Sequence, residues 1–164
     1  MKKYIKYIVV LLMIFIGTNA QSQIRQKIMG VTIGVTPKRT VFRTITDQGY
    51  TVSEKPNALI VHTTEYAGYH WQKITFFYYK NVLYKVEFYN PCVLEEVKEL
   101  YPKPTSHSVI FSTLKNILSN KYGRYKNGDF FVDGKTRIRF EESKMIYENI
   151  ELASKADNSA IDDL

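Results

Sequence analysis

The sequence predicts an α+β fold, an antiparallel sheet with helices packed on one face. Three observations carry that prediction. Residues 69–90 read as two long strands joined by a tight turn at Lys80 and Asn81. Two helix-forming segments each end at a glycine, Gly49 and Gly123. Each segment is followed by about three strand-like stretches, so two tandem helix-plus-three-strand units can be traced, at about 28–90 and 91–150, within one domain spanning 24–150. With 164 residues, 45% of them hydrophobic and 14% aromatic, the chain can close a core of ordinary size.

Lys2, Lys3 and Lys6 give a positive start, Ile8 to Ile16 is an unbroken apolar run, and Thr18-Asn19-Ala20 is a small-residue cleavage site. This is the layout of a secretory signal peptide over residues 1–20, with cleavage after Ser22 as the second choice. The polar stretch from Thr18 to Gln23 comes too early for a spanning helix, which needs about 20 apolar residues. No Cys stands just after the apolar run, so the expectation is a soluble periplasmic or secreted protein and not a lipoprotein. Losing the leader's three lysines lowers the net charge from +7 to +4. The single cysteine, Cys92, excludes an internal disulfide. Its neighbours Pro91, Val93 and Leu94 favour burial, and an intermolecular bridge is the alternative.

Ile24 to Ile33 reads as a short edge strand or an extended lead. Thr36 is placed to cap a helix over about 37–48, with Pro37 at its first position and Val41, Phe42 and Ile45 as its apolar stripe. After the break at Lys55-Pro56-Asn57, residues 58–64 form a strand, and Tyr66-Ala67-Gly68 turns into the long hairpin. In the hairpin's second arm, Val82, Tyr84, Val86 and Phe88 alternate with Leu83, Lys85, Glu87 and Tyr89, the period of a half-buried strand. Val93, Leu94, Val97, Leu100 and Tyr101 recur at helical spacing up to Pro102. A longer helix then runs from Ser106 or Ser108 to Tyr122, with Val109, Ile110, Thr113, Leu114, Ile117 and Leu118 inward and Gly123 as its cap. Strands follow at 129–132, 135–141 and 144–150, the first two joined by Asp133-Gly134. Residues 151–164 are small, polar and acidic, and read as a flexible tail.

Gly34-Val35-Thr36-Pro37-Lys38 opening a helix soon after an exported N-terminus, together with Leu118 to Gly123 closing a second one, resembles the small outer-membrane-assembly lipoproteins. It likewise resembles the β-lactamase inhibitor proteins, which carry two helix-plus-sheet units in tandem. The resemblance implies a binding surface made by a concave sheet and brings no catalytic residues. Because there is no lipid-anchor Cys, it does not extend to a membrane-anchored assembly role.

The chemistry-bearing residues are sparse. His62, His70 and His107 are the histidines, and none of them has ligand spacing to another, although Glu65 lies near the first two in sequence. There is no Gly-x-Ser-x-Gly elbow, and Glu95 and Glu96 beside Cys92 disfavour a thiolate. Glu95 with Glu99, and Glu141 with Glu142, read as surface charge. No phosphate-cradling glycine loop with a following lysine occurs. No metal, cofactor or catalytic residue is therefore expected.

The informative feature is aromatic and basic. Tyr69, Trp71, Phe77 and Tyr79 share one side of an alternating strand, while Lys135, Arg137 and Arg139 share one side of another. Tyr, Trp and Arg dominate binding hot spots. These seven residues form the candidate binding face of an exported, non-catalytic module that acts through the solvent side of its sheet, its partner another protein in the same compartment. Export argues against nucleic acid. The alternatives are a small exported hydrolase pairing Glu65 or Glu87 with a histidine, and a module for glycans or anionic ligands.

Overall fold

The computed structural model describes residues 24–90, 107–141 and 143–162. The chain begins with a small hairpin of β1 (Lys27–Ile28) and β2 (Val31–Thr32), then helix α1 (Lys38–Asp47). A meander follows: β3 (Val52–Lys55), β4 (Ala58–Tyr66), β5 (Tyr69–Tyr79) and β6 (Val82–Tyr89). Helix α2 (His107–Tyr122) and a short 3-10 turn lead into a second meander: β7 (Lys126–Asn127), β8 (Phe130–Asp133), β9 (Thr136–Glu141) and β10 (Lys144–Asn149). Helix α3 (Ile150–Asp162) closes the described chain. The predicted leader and the helical spacing of 93–101, with Cys92, lie outside the described residues.

Strands β3 to β10 form one antiparallel sheet in the order β3-β4-β5-β6-β10-β9-β8-β7. The two meanders meet through their last strands, with Phe88 opposite Met145 and Val86 opposite Tyr147. Each half is thus a helix followed by four strands, one strand more than the sequence predicts. The additions, β3 and β7, have four and two residues and are mostly polar, too short for an alternating pattern to register.

One sheet face carries the main core. Ile74, Phe76, Leu83, Val86, Phe88 and Ile138 are all essentially inaccessible, and α1 adds Val41 and Ile45. Each such side chain contributes roughly 1.5–3 kcal/mol of burial. Helix α2 packs through Phe111, Leu114, Leu118 and Tyr122. This departs from the predicted stripes: Phe42 and Ile117 are exposed, because the buried face of α2 is rotated toward Phe111 and that of α1 narrows to Val41 and Ile45. Gly123 starts the 3-10 turn instead of capping in a left-handed conformation. Gly49 does take that conformation, at φ 86°. Pro37, not Thr36, holds the cap position of α1, and the Thr36 hydroxyl instead accepts the Thr32 N–H at 2.9 Å.

The second face is where the fold differs most from expectation. Residues 150–162 form a helix, not a flexible tail, and that helix lies on the face opposite α1 and α2. Asn149 caps it, its Oδ1 accepting the Leu152 N–H at 3.1 Å. Ala153 is buried, and Ala58, Ile60 and Ile146 are buried apart from the main core. Helix α3 runs back over β10, β6 and β5 and covers the middle of this face.

Gly34 ties the N-terminal hairpin to this junction. Its φ is +85°, and a Cβ there would sit 2.7 Å from the Asn149 amide nitrogen, so both conformation and space require glycine.

Candidate functional site

The structure separates the predicted face into parts. Trp71 is 1% exposed and belongs to the core side, packed on Phe88 at 5.1 Å and near Phe111, with its Nε1–H donated to Tyr66 O at 3.2 Å. Tyr69 packs beside it. Phe77 and Tyr79 are half-buried on the other side of the sheet. The alternation that puts all four together fails because its phase changes between them. Trp71 and Ile74 are three apart yet both buried, and Thr64 and Val61 repeat that spacing on β4, around Thr63 at φ 43°. Trp71 is therefore removed from the candidate face by its burial, and Tyr69 goes with it.

The basic residues do share one stripe on the second face, but their charges are engaged. Arg137 and Arg139 each donate Nε–H to the same Oε1 of Glu148 at 2.8 Å, and Glu148 is 3% exposed. Arg139 also pairs with Glu141, and Lys135 pairs with Glu151 at 2.8 Å. The register explains the arrangement, since Arg137 lies opposite Glu148, which lies opposite Lys85 on β6. A buried carboxylate between two guanidiniums satisfies a charge that could not be left alone there. These arginines hold the sheet and do not offer a free positive stripe.

The lysines of the hairpin are differently placed. Lys73 lies over the Tyr89 ring at 5.0 Å, Lys80 over Tyr79 at 5.5 Å, and Lys85 over Phe77 at 4.2 Å and Tyr84 at 5.9 Å. The ladder builds this strip: Lys73 faces Tyr89, and Phe77 faces Lys85. A register shift between Phe77 and Tyr78 inserts Tyr84 as an extra residue and brings it to the same group. The turn at Lys80 and Asn81, φ 46° and 66°, is the tight hairpin turn that the sequence predicts. Lys85 also bonds Glu87 at 3.0 Å, and Lys144 reaches that carboxylate at 3.3 Å. Burial alone would raise the Glu87 pKa, but these two lysines outweigh it and hold the carboxyl below its ordinary value. Burial, then the nearby charges of Asp157, Glu87 and Glu148, push the Tyr84 phenol up. Lys73 and Lys80 have no ion pair among the described residues.

A separate open cleft of about 1150 Å³ lies between the lead into β1 and the β10–α3 junction, lined among others by Arg25, Lys27, Tyr66, Asp133, Lys135 and Glu151. No local pattern signals this cleft, because its walls are far apart in the chain. Of the residues weighed for chemistry, Glu65 and His70 face each other across β4 and β5, His62 is exposed, and none of them lines the cleft. The described residues contain no group of three His, Cys, Asp or Glu able to hold a metal ion. No described helix is long and apolar enough to cross a membrane. Compared with protein-family models, curated proteins and solved structures, the chain gives no match.

Proposed function

We propose that the protein is an exported, non-catalytic binding module that meets an acidic surface of another protein through the part of the outward side of β5 and β6 that α3 leaves open. The observation that carries this reading is the strip of Phe77, Tyr79, Tyr84 and Tyr89 with Lys73, Lys80 and Lys85 against their rings. Half-buried rings held by lysine stems lose little freedom on binding, and each cation–ring contact contributes about 0.5–1 kcal/mol at such sites. Lys73 and Lys80 leave the strip positive, which favours encounter with an acidic partner.

Export through a cleaved leader to the periplasm or beyond belongs to the same proposal and rests on the Lys2 to Ala20 pattern. Sequencing the mature N-terminus checks it, with Gln21 or Gln23 expected first. The likeness to the β-lactamase inhibitor proteins also belongs here. Two helix-led meanders joined into one sheet support it, whereas α3 across the second face leaves only part of that face open.

The test is co-purification from the native compartment of the wild-type chain and of Lys73→Glu and Tyr79→Ser. Both side chains stand outside the main core, so the fold should survive. Loss of the wild-type partner in both variants is expected. Retention of that partner at wild-type yield would overturn the reading.

A further inference from the structure

Away from the strip, the cleft beside β1 has two cations that no acid among the described residues neutralises. Arg25 and Lys27 are exposed, both line the cleft, and neither has an ion pair among the described residues. The acids on the opposite wall are occupied: Asp133 Oδ2 accepts the Ile24 N–H at 2.9 Å, and Glu151 pairs with Lys135. We propose that this cleft docks an extended acidic segment of another polypeptide, with Arg25 and Lys27 binding carboxylates at alternate positions of that segment.

Spacing selects a peptide over other anions. Ile33 N–H bonds Gln26 O at 3.0 Å, which carries the β1–β2 ladder back along the lead, so Arg25 and Lys27 are alternate residues of an extended stretch. Alternate residues of such a stretch repeat at about 7 Å on one side. Acidic side chains two apart on an extended partner repeat at the same interval, so two carboxylates meet two cations without strain. The outer backbone edge of β1 is already engaged, Arg25 N–H meeting the Tyr122 hydroxyl at 3.5 Å and Met29 N–H the Tyr66 hydroxyl at 3.3 Å, so the segment is held by the two cationic side chains and not by strand addition. A neutral sugar is disfavoured: the aromatic ring lining the cleft is Tyr66, and its hydroxyl is engaged by the Met29 N–H at 3.3 Å.

The experiment titrates the purified exported chain with a short acetylated peptide carrying glutamates at two alternate positions. Two control peptides have those glutamates adjacent, or replaced by glutamine. Binding is expected to the first peptide, to weaken about tenfold with either Arg25→Gln or Lys27→Gln, the size of one charge-assisted hydrogen bond, and to be unaffected by Lys80→Gln. Unchanged unfolding midpoints in these exposed-site variants show that the fold is intact. No binding, equal binding of the adjacent-glutamate peptide, or equal binding of a sulfated oligosaccharide through the same two residues would overturn the proposal. Loss with Lys80→Gln alone would move the peptide to the hairpin strip and overturn it equally. The hairpin strip and this cleft share no residue, so either can fail without the other.

Discussion

Arg137 reaches Glu148 through a 2.8 Å hydrogen bond between neighbouring strands, and the carboxylate it meets is almost fully buried on the sheet's second face. Arg139 meets the same oxygen, so one carboxylate holds two strand positions of β9 against β10. Breaking a fully buried pair costs roughly 3–5 kcal/mol. Both guanidiniums are about one-third exposed, so water offsets part of that loss. Glu148→Gln is therefore expected to cost about 2 kcal/mol, read from chemical denaturation. A change within error of zero would mean that the cluster is not a stabilising contact.

Tyr78 gives an expectation of opposite sign. Its ring is in the core, but its hydroxyl is buried with no hydrogen-bond partner among the described residues. Burial, with a smaller effect of Glu54, pushes the phenol far above its ordinary pKa. Removing an unsatisfied buried hydroxyl relieves its desolvation cost, about 1–3 kcal/mol when the group is wholly unpaired. Tyr78→Phe is expected to leave the unfolding midpoint unchanged or raise it, and a clear drop would show that the hydroxyl has a partner in solution.

Glu87 sets part of the acid limit of stability. Lys85 and Lys144 hold its folded pKa below that of the unfolded chain, so its contribution is fully present above the ordinary glutamate range and is lost as pH falls through the folded value. Urea midpoints are expected to fall as pH drops below about 4.5, the ordinary value, and Glu87→Gln should flatten that limb. An equally steep limb in the variant would assign acid unfolding to other carboxylates.

Gly34→Ala tests the link between the N-terminal hairpin and the start of α3. The new methyl would meet the Asn149 amide while the backbone is held at a positive φ. Strained φ of this kind costs about 1–3 kcal/mol, and displacing Asn149 would also weaken the cap on α3. Thermal unfolding is expected to shift down accordingly, with Gly68→Ala, an open turn position with φ +79°, as the measure of the backbone cost alone.

Local patterns made much of this fold legible. The β5–β6 hairpin, its turn and the inward side of β6 follow from alternation over a long stretch, α1 from Pro37, Gly49 and its period, α2 from its period, and β8, β9 and β10 from alternation and turn residues. What stayed hidden depends on non-local pairing or on a change of phase. Nothing near Trp71 announces the irregularity at Thr63 that turns it inward, and nothing near Arg137 announces that Glu148 will be its strand partner. Helix α3 looked like a tail because its buried side is made of small residues such as Ala153, which cover a sheet face without a hydrophobic pattern. Asn149 ahead of Leu152 and Ala153 was the signal that could have found it. The hairpin's aromatic surplus was visible, but not its division between core and strip, and so only Phe77 and Tyr79 of the predicted aromatic set reach the proposed contact surface.

The central claim is that β5 and β6 present a contact surface for a protein partner. Placing a photo-crosslinking side chain at position 79, and in a second experiment at position 117, in the chain as it stands in its own compartment tests it most directly. Tyr79 belongs to the strip, and Ile117 is an exposed residue on α2, which packs on the other face. Adducts to one discrete protein from position 79, absent from position 117 and lost when Lys73→Glu is added, are what the account requires. Equal adducts from both positions, or adducts from 117 alone, would contradict it.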